Sequence, residues 1–182
     1  MISCIRAATP YVPAVGTDTP RSSWHGWPDF VGGEPVTDPK YCAPGSAPSS
    51  FLLANHGELP RPERPLAVFP ANSAATKFDV TPAAASCGQR YLIVALFGDE
   101  KPMTATYGPR SGRALARVDL HDWSVEVFAE HRFARPIDVR FSPQTGELHV
   151  LDFGDFEMGP EGKVLARRGS GKLAVLELRE VS

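Results

Sequence analysis

The sequence predicts an all-β protein, a partial β-propeller of about two to three four-stranded blades that follows an irregular N-terminal arm. Three observations lead to this prediction. Proline (18 residues) and glycine (16 residues) are too frequent for a helical bundle. The apolar segments after residue 75 have the length and the alternation of strands. These segments also recur in the same order at a near-constant spacing.

The arm and the blades divide the chain near residue 65. Residues 1–65 lack apolar periodicity and contain Pro-, Gly- and Ser-rich stretches, so we predict irregular structure and blade-connecting loops there. Residues 66–182 hold the predicted C-terminal blades, and a short strand is expected at residues 65–69. The chain is long enough for one domain with its own core.

Seven segments after the arm are predicted strands, either because they are buried apolar runs or because apolar and polar residues alternate. They are residues 76–80, 91–97, 113–120, 123–128, 136–141, 147–153 and 172–178. Gly98-Asp99 ends the second segment and Gly154-Asp155 ends the sixth. No segment shows the apolar spacing of an amphipathic helix long enough to replace these predicted strands.

The order of these strands repeats along the chain. Superposition places Phe78-Asp79-Val80 on Ile137-Asp138-Val139, Phe97-Gly98-Asp99 on Phe153-Gly154-Asp155, and Gly112-Arg113 on Gly171-Lys172. The offsets of 59, 56 and 59 residues are typical of repeated propeller blades. The second copy lacks a fourth strand, as expected for a terminal blade that borrows its outer strand from the N-terminal part of the chain. A β-sandwich with coincidental spacing is the alternative.

Composition and motifs exclude several classes of function. The 19 basic and 21 acidic residues give a net charge of -2, which predicts no nucleic-acid binding. No run of about 20 apolar residues predicts a membrane span, and the first seven residues are too short and mixed for a signal peptide. Cys4, Cys42 and Cys87 show no metal or haem spacing, so we expect free thiols, with one disulfide as the alternative.

Several motifs taken together resemble the glucose/sorbosone dehydrogenase family, the sugar dehydrogenases that depend on pyrroloquinoline quinone (PQQ). These motifs are Gly26-Trp27-Pro28-Asp29-Phe30 and residues 32–37, 69–75, 94–102, 135–141 and 148–154. Their order and spacing cover residues 24–178, and the resemblance implies the C-terminal part of a six-bladed-type propeller. Asn72 stands where the family usually has histidine.

The resemblance implies oxidation of a sugar, with PQQ as electron acceptor and calcium polarising the quinone oxygens. It also implies that Lys101 contacts the quinone and that Arg132 and Arg135 engage its carboxylates, and three solvated surface cations are the alternative. The family's earlier blades, with the histidine that acts as general base, have no counterpart in this chain. We therefore assign no catalytic residue and no metal ligand, and expect a portion of a dehydrogenase that is inactive as an isolated fragment. A non-catalytic propeller fragment that serves as a binding or scaffold module is the alternative.

The remaining polar residues predict no separate active site. The five histidines show no metal-binding spacing, and no Ser-His-Asp order or GxSxG motif is present. Asp99, Asp152 and Asp155 lie at or just after strand ends, where they could bind a cation with Glu100 or hydrogen-bond their local backbone. We favour the second reading.

The expected partners follow from the same two sources. The resemblance implies a small-molecule sugar substrate and a periplasmic or secreted location, although the chain shows no signal peptide. Composition predicts neither nucleic acid nor membrane as a partner. A part of a propeller leaves strand edges and apolar sheet faces open, so we expect self-association through the open blade edges, or poor folding of the chain alone.

Overall fold

The computed structural model describes residues 24–41, 45–82, 90–99, 111–159 and 163–177. These residues form several antiparallel sheets, none of them closed, and contain no α-helix. The predicted all-β class is therefore confirmed. The chain divides into two compact units, a smaller one over residues 8–68 and a larger one that contains residues 69–182.

The smaller unit has few regular elements in its described part. Strands β1 (Phe30–Val31) and β2 (Glu34–Pro35) form a short antiparallel hairpin. Its two-residue loop is Gly32-Gly33, with φ values of 60° and 80°, as a tight hairpin turn with positive φ at both positions requires. Two short 3-10 turns follow, at Pro39–Tyr41 and His56–Glu58. The prediction of a strand at residues 65–69 is wrong, because these residues are not part of any strand in the structure.

The larger unit contains two main antiparallel sheets. The first has the order β3-β4-β5-β6 and consists of β3 (Ala75–Val80), β4 (Tyr91–Leu96), β5 (Ala114–Asp119) and β6 (Val125–Phe128). The second has the order β11-β8-β7 and consists of β7 (Pro136–Phe141), β8 (Leu148–Asp152) and β11 (Lys172–Leu176). All seven strands predicted after residue 75 are therefore present, with ends that differ by up to two residues.

One further hairpin lies between β8 and β11 and was not predicted. It pairs β9 (Phe156–Met158) with β10 (Val164–Ala166) in antiparallel register. The sequence did carry a signal for it, because Gly159-Pro160-Glu161-Gly162 favours a turn between two short apolar segments. The segments are only three residues long, which is below the length at which alternation can be recognised.

The two main sheets repeat the same local structure. β3 and β7 both shift register near their first residues, against β4 and β8 respectively. The carboxylates of Asp79 in β3 and Asp138 in β7 each accept a hydrogen bond of 2.9 Å from the amide of the next residue. Gly98 and Gly154 follow β4 and β8 with φ values of 94° and 91°. The spacing seen in the sequence is therefore a repeat of local geometry as well.

An apolar core joins the two sheets. Its buried members are Ile93, Ala95 and Leu115 from the first sheet, Val139, Leu148 and Val150 from the second, and Phe133 from the connection between them. β3 and β7 also touch directly, because the amide of Phe141 donates a hydrogen bond of 2.8 Å to the Asp79 carboxylate. Alternate residues of the neighbouring strands therefore hold the sheets face to face.

The backbone before β5 lies very close to the backbone after β4. A Cβ atom on Gly112 would lie 2.3 Å from the Cα of Gly98 and 2.7 Å from the carbonyl oxygen of Ser73. Gly112 also has a φ of 72°, a conformation that residues with a Cβ atom rarely adopt. Any larger residue must therefore push two backbone segments apart.

We predict that Gly112→Ala lowers the free energy of unfolding by about 2–4 kcal/mol, because both strain and overlap oppose the added methyl group. Gly169→Ala is the matched control. Gly169 has a φ of 74° but no atom within 4 Å of its would-be Cβ, so it should lose only about 1–2 kcal/mol. Urea denaturation of both variants measures the difference, and equal losses would contradict the steric account.

Candidate functional site

Arg135 lies immediately before β7 and is only 1% exposed. Its guanidinium donates hydrogen bonds to the carbonyl oxygens of Phe156 (3.0 Å), Asp99 (2.5 Å) and Phe97 (3.3 Å). The guanidinium carbon also lies 4.8 Å from the centroid of the Phe97 ring, a cation–π contact. The buried cation is therefore solvated by the protein and ties the residues after β4 to the start of β9.

Glu157 in β9 links two guanidinium groups. Its Oε1 atom lies 2.7 Å from Nη2 of Arg113, and its Oε2 atom lies 3.3 Å from Nη2 of Arg135. A buried charge is costly unless an opposite charge compensates it, and Glu157 supplies that charge to Arg135. Arg113 itself has a φ of 56°, a left-handed conformation that is strained for a residue with a Cβ atom. The strained backbone of Arg113 therefore lies beside the glutamate that forms both ion pairs.

Asp152, at the end of β8, fixes the backbone of the segment that carries Arg135. Its carboxylate accepts hydrogen bonds from the amides of Arg135 (2.7 Å), Ala134 (2.8 Å) and Gly154 (3.0 Å). The bond from Gly154 is the local backbone hydrogen bond that the sequence predicts for a carboxylate at a strand end, and for Asp152 this prediction is confirmed. The bonds from Ala134 and Arg135 come from a distant part of the chain and were not predicted.

A cleft of about 410 Å³ opens beside these groups. Its wall includes Arg113, Glu157, Asp155, Arg167, Phe156 and Leu165. Arg167 and Asp155 form a third ion pair, of 2.7 Å, in an exposed part of the wall. The cleft thus offers hydrogen-bond donors and acceptors next to an aromatic ring, which suits a polar ligand that also has an apolar face.

The three residues predicted to hold a quinone differ in where they lie in the structure. Lys101 lies outside the described residues. Arg132 is exposed, in the turn between β6 and β7. Arg135 is buried, and a quinone carboxylate would have to displace the protein acceptors from its guanidinium. Arg135 therefore fits a framework role and does not fit the ligand role that the resemblance implies.

The described residues also bear on calcium and on membranes. In the part of the chain that the structure describes, no group of three or more His, Cys, Asp and Glu side chains is placed to hold a metal ion. The calcium that the resemblance implies therefore has no fitting set of side chains there, and we derive no step through it. None of the helical segments in the described ranges is long and apolar enough to cross a membrane.

The smaller unit holds a second polar cluster, which was not predicted from the sequence. The Asp29 carboxylate is fully buried, accepts hydrogen bonds from the amides of Leu52 (2.6 Å) and Leu53 (3.2 Å), and lies 2.9 Å from Nδ1 of His56. The His56 ring stacks on Phe51 with centroids 3.5 Å apart. The two partners are separated by 27 residues, so no spacing rule could have paired them.

The hydrogen bonds decide the charge of Asp29. Burial alone would raise its pKa, but the hydrogen bonds from Leu52, His56 and Leu53 together outweigh burial and lower the pKa. Asp29 is therefore ionised. Its carboxylate orients the His56 ring and holds residues 52–56 next to the start of β1 through these hydrogen bonds.

We predict that Arg135→Met lowers the free energy of unfolding by about 3–5 kcal/mol, because buried carbonyl groups and Glu157 lose their cationic partner. Arg132→Met is the matched control, since it removes an exposed arginine three residues away and should change stability by no more than about 0.5 kcal/mol. Thermal and urea unfolding measure both variants. A mild effect of Arg135→Met would refute the framework role.

A second prediction concerns Asp29 and its pH dependence. Because its pKa is lowered, the ionised carboxylate stabilises the fold above the ordinary value of 3.8, and this contribution is lost as the pH falls through the lower folded value. The amide resonance of Leu52 should therefore titrate with a midpoint below 3.8. A midpoint at or above that value would contradict the prediction.

Asp29→Asn should abolish that titration and speed the hydrogen exchange of the Leu52 and Leu53 amides, because a carboxamide is a weaker acceptor for them. The Ser124 amide, which donates to the Asp122 carboxylate in the larger unit, serves as the internal control. Its exchange should stay unchanged.

Comparison with known proteins gives no further guide to this site. No protein-family model, no curated protein and no solved structure matches the chain. The resemblance to the glucose/sorbosone dehydrogenase family therefore stays a prediction that depends on the motifs in the sequence.

Proposed function

We propose that the chain forms successive blades of a β-propeller and is the C-terminal portion of a quinoprotein sugar dehydrogenase, which oxidises a sugar with PQQ as electron acceptor. In this proposal the chain supplies the framework of the blades and two cations for the quinone, Arg132 and Lys101. The general base and most of the cofactor pocket come from outside the chain. The chain alone is inactive.

One observation carries the proposal. Residues after β4 and residues before β7 converge, because the Arg135 guanidinium reaches the carbonyl oxygens of Phe97 and Asp99. The segment that bears Lys101 follows Asp99 directly, and Arg132 lies just before Arg135. This convergence supports a shared binding edge to which several cations contribute. The repeated meander of the two sheets and the contact of β3 with β7 support the blade arrangement.

The burial of Arg135 favours a second candidate, a non-catalytic propeller fragment that acts as a binding or scaffold module. A guanidinium whose hydrogen bonds go to the protein stabilises a framework and leaves fewer cations for a tricarboxylate. The two candidates differ in one property that can be measured, which is affinity for the quinone.

We predict saturable quenching of tryptophan fluorescence when PQQ is titrated into the full chain in the presence of Ca²⁺. Arg132→Ala and Lys101→Ala should each weaken this binding by about tenfold, because each removes a charge-assisted hydrogen bond to a carboxylate. Arg168→Ala, at another exposed arginine, is the matched control and should leave the affinity unchanged.

The outcomes separate the candidates. Absence of saturable binding, or equal losses in all three variants, would favour the scaffold module. Reduction of an artificial electron acceptor by the isolated chain with sugar, PQQ and Ca²⁺ would contradict the expected inactivity. An open reading frame upstream of the Met1 codon that encodes further blades and a histidine base would support the dehydrogenase, and a stop codon there would oppose it.

A further inference from the structure

Arg113, in the wall of the cleft, uses few of its hydrogen-bond donors within the protein. In the described part of the chain its side chain makes one hydrogen bond, from Nη2 to Oε1 of Glu157. Its Nε atom is buried and has no acceptor among the described residues. A guanidinium group carries five N–H donors, and a buried donor without an acceptor is costly. Arg113 therefore retains donors that the protein does not use.

The carboxylate next to Arg113 is shared with a second guanidinium group. Oε1 of Glu157 lies 2.7 Å from Nη2 of Arg113, and Oε2 lies 3.3 Å from Nη2 of Arg135. Arg113 therefore has no carboxylate to itself. Arg113 lines the cleft and Arg135 does not. A second carboxylate that enters the cleft thus meets the guanidinium group of Arg113.

The backbone that carries Arg113 is strained and tightly held. Arg113 has a φ of 56°, which is unfavourable for a residue with a Cβ atom. Gly112, directly before it, packs so closely that a Cβ atom there would lie 2.3 Å from the Cα of Gly98. Strain of this kind persists only where the surrounding structure enforces it, and it occurs preferentially at ligand-binding residues. The strain therefore supports a ligand-binding role for this arginine.

The hairpin of β9 and β10 adds an apolar surface to the same cleft. Leu165 in β10 pairs with Glu157 in β9, so their side chains lie on the same face of the hairpin. Leu165 is 51% exposed although it lines the cleft. Three further residues give the wall apolar surface, namely Ala134, Phe156 and Ala166. A cation beside an apolar wall matches a ligand that joins an anion to an apolar group.

We propose that the cleft binds a small monocarboxylate with an apolar body. Its carboxylate accepts charge-assisted hydrogen bonds from the Arg113 guanidinium, and its apolar body packs against Leu165. Asp155 and Arg167 lie 2.7 Å apart and compensate each other on the exposed side of the wall, so the ligand needs no second charge there. The volume of about 410 Å³ suits a small molecule. The proposal does not depend on the proposed dehydrogenase function.

Calorimetric titration of the full chain with isocaproate at neutral pH tests the proposal. We expect saturable binding with a dissociation constant of about 1 mM or lower. Isocaproamide has the same shape without the charge, and acetate has the charge without the apolar body. Each should bind at least about tenfold more weakly, because each lacks one of the two contacts. Absence of isocaproate binding, or equal affinity for either of the other two compounds, would overturn the proposal.

Substitutions in the cleft identify the two contacts separately. Arg113→Gln should weaken isocaproate binding at least about tenfold, because it removes the charged donor group. Arg117→Gln is the matched control, since Arg117 is also paired with a glutamate but lies in β5, outside the cleft wall, and its loss should leave the affinity unchanged.

Leu165→Ser should weaken the binding of isocaproate but not that of acetate, because only isocaproate has an apolar body. Leu165 is exposed, so this variant keeps the test decisive if Arg113→Gln does not fold, as circular dichroism would show. Unchanged affinity in both cleft variants, or an equal loss in Arg117→Gln, would refute the assignment of the cleft.

Discussion

A guanidinium group that is removed from water must donate its hydrogen bonds to the protein, and it needs a compensating negative charge nearby. Arg135 meets both conditions through three backbone carbonyl oxygens and Glu157. Because the carbonyl groups belong to Phe97, Asp99 and Phe156, the segments after β4 and at the start of β9 must keep their positions for the charge to remain satisfied. One side chain thus ties its own segment before β7 to two others that are far away in the sequence.

The same edge of the unit depends on close backbone packing. Asp152 binds the amides that lead into β7, so the backbone of Arg135 is fixed before its side chain makes any contact. Gly112 and Gly98 allow the segments that flank β4 and β5 to approach within a distance that no Cβ atom permits. Side-chain charge and close backbone contact therefore act on neighbouring segments, and the cleft lies beside Arg113, which directly follows Gly112.

The strands were predictable because each one carries its own signal. β4 is a continuous apolar run, β5 and β6 alternate, and the Asp79 and Asp138 motifs repeat. The hairpin β9–β10 was missed because three residues are too few to show a period. The role of Arg135 could not be predicted either, because a sequence shows a cation but not the groups that accept its hydrogen bonds. These acceptors are backbone carbonyl groups that lie 21, 36 and 38 positions away from Arg135 in the sequence. The Asp29–His56 pair likewise depends on contacts within its unit that have no sequence period.

The two main sheets differ in how far their faces are buried. Strand β4 of the first sheet is buried on both faces, as Ile93 and Leu92 illustrate, whereas the second sheet exposes Leu173 although it repeats the same order of its first strands. A repeated unit that buries one face on its neighbour leaves the other face in need of a neighbour. The polar groups around Arg135 lie at the strand ends, away from that face. The exposed side chains of β8 and β11 and the side chains of the Arg135 cluster are different residues, so the exposed face can vary without any change to the contacts that hold Arg135.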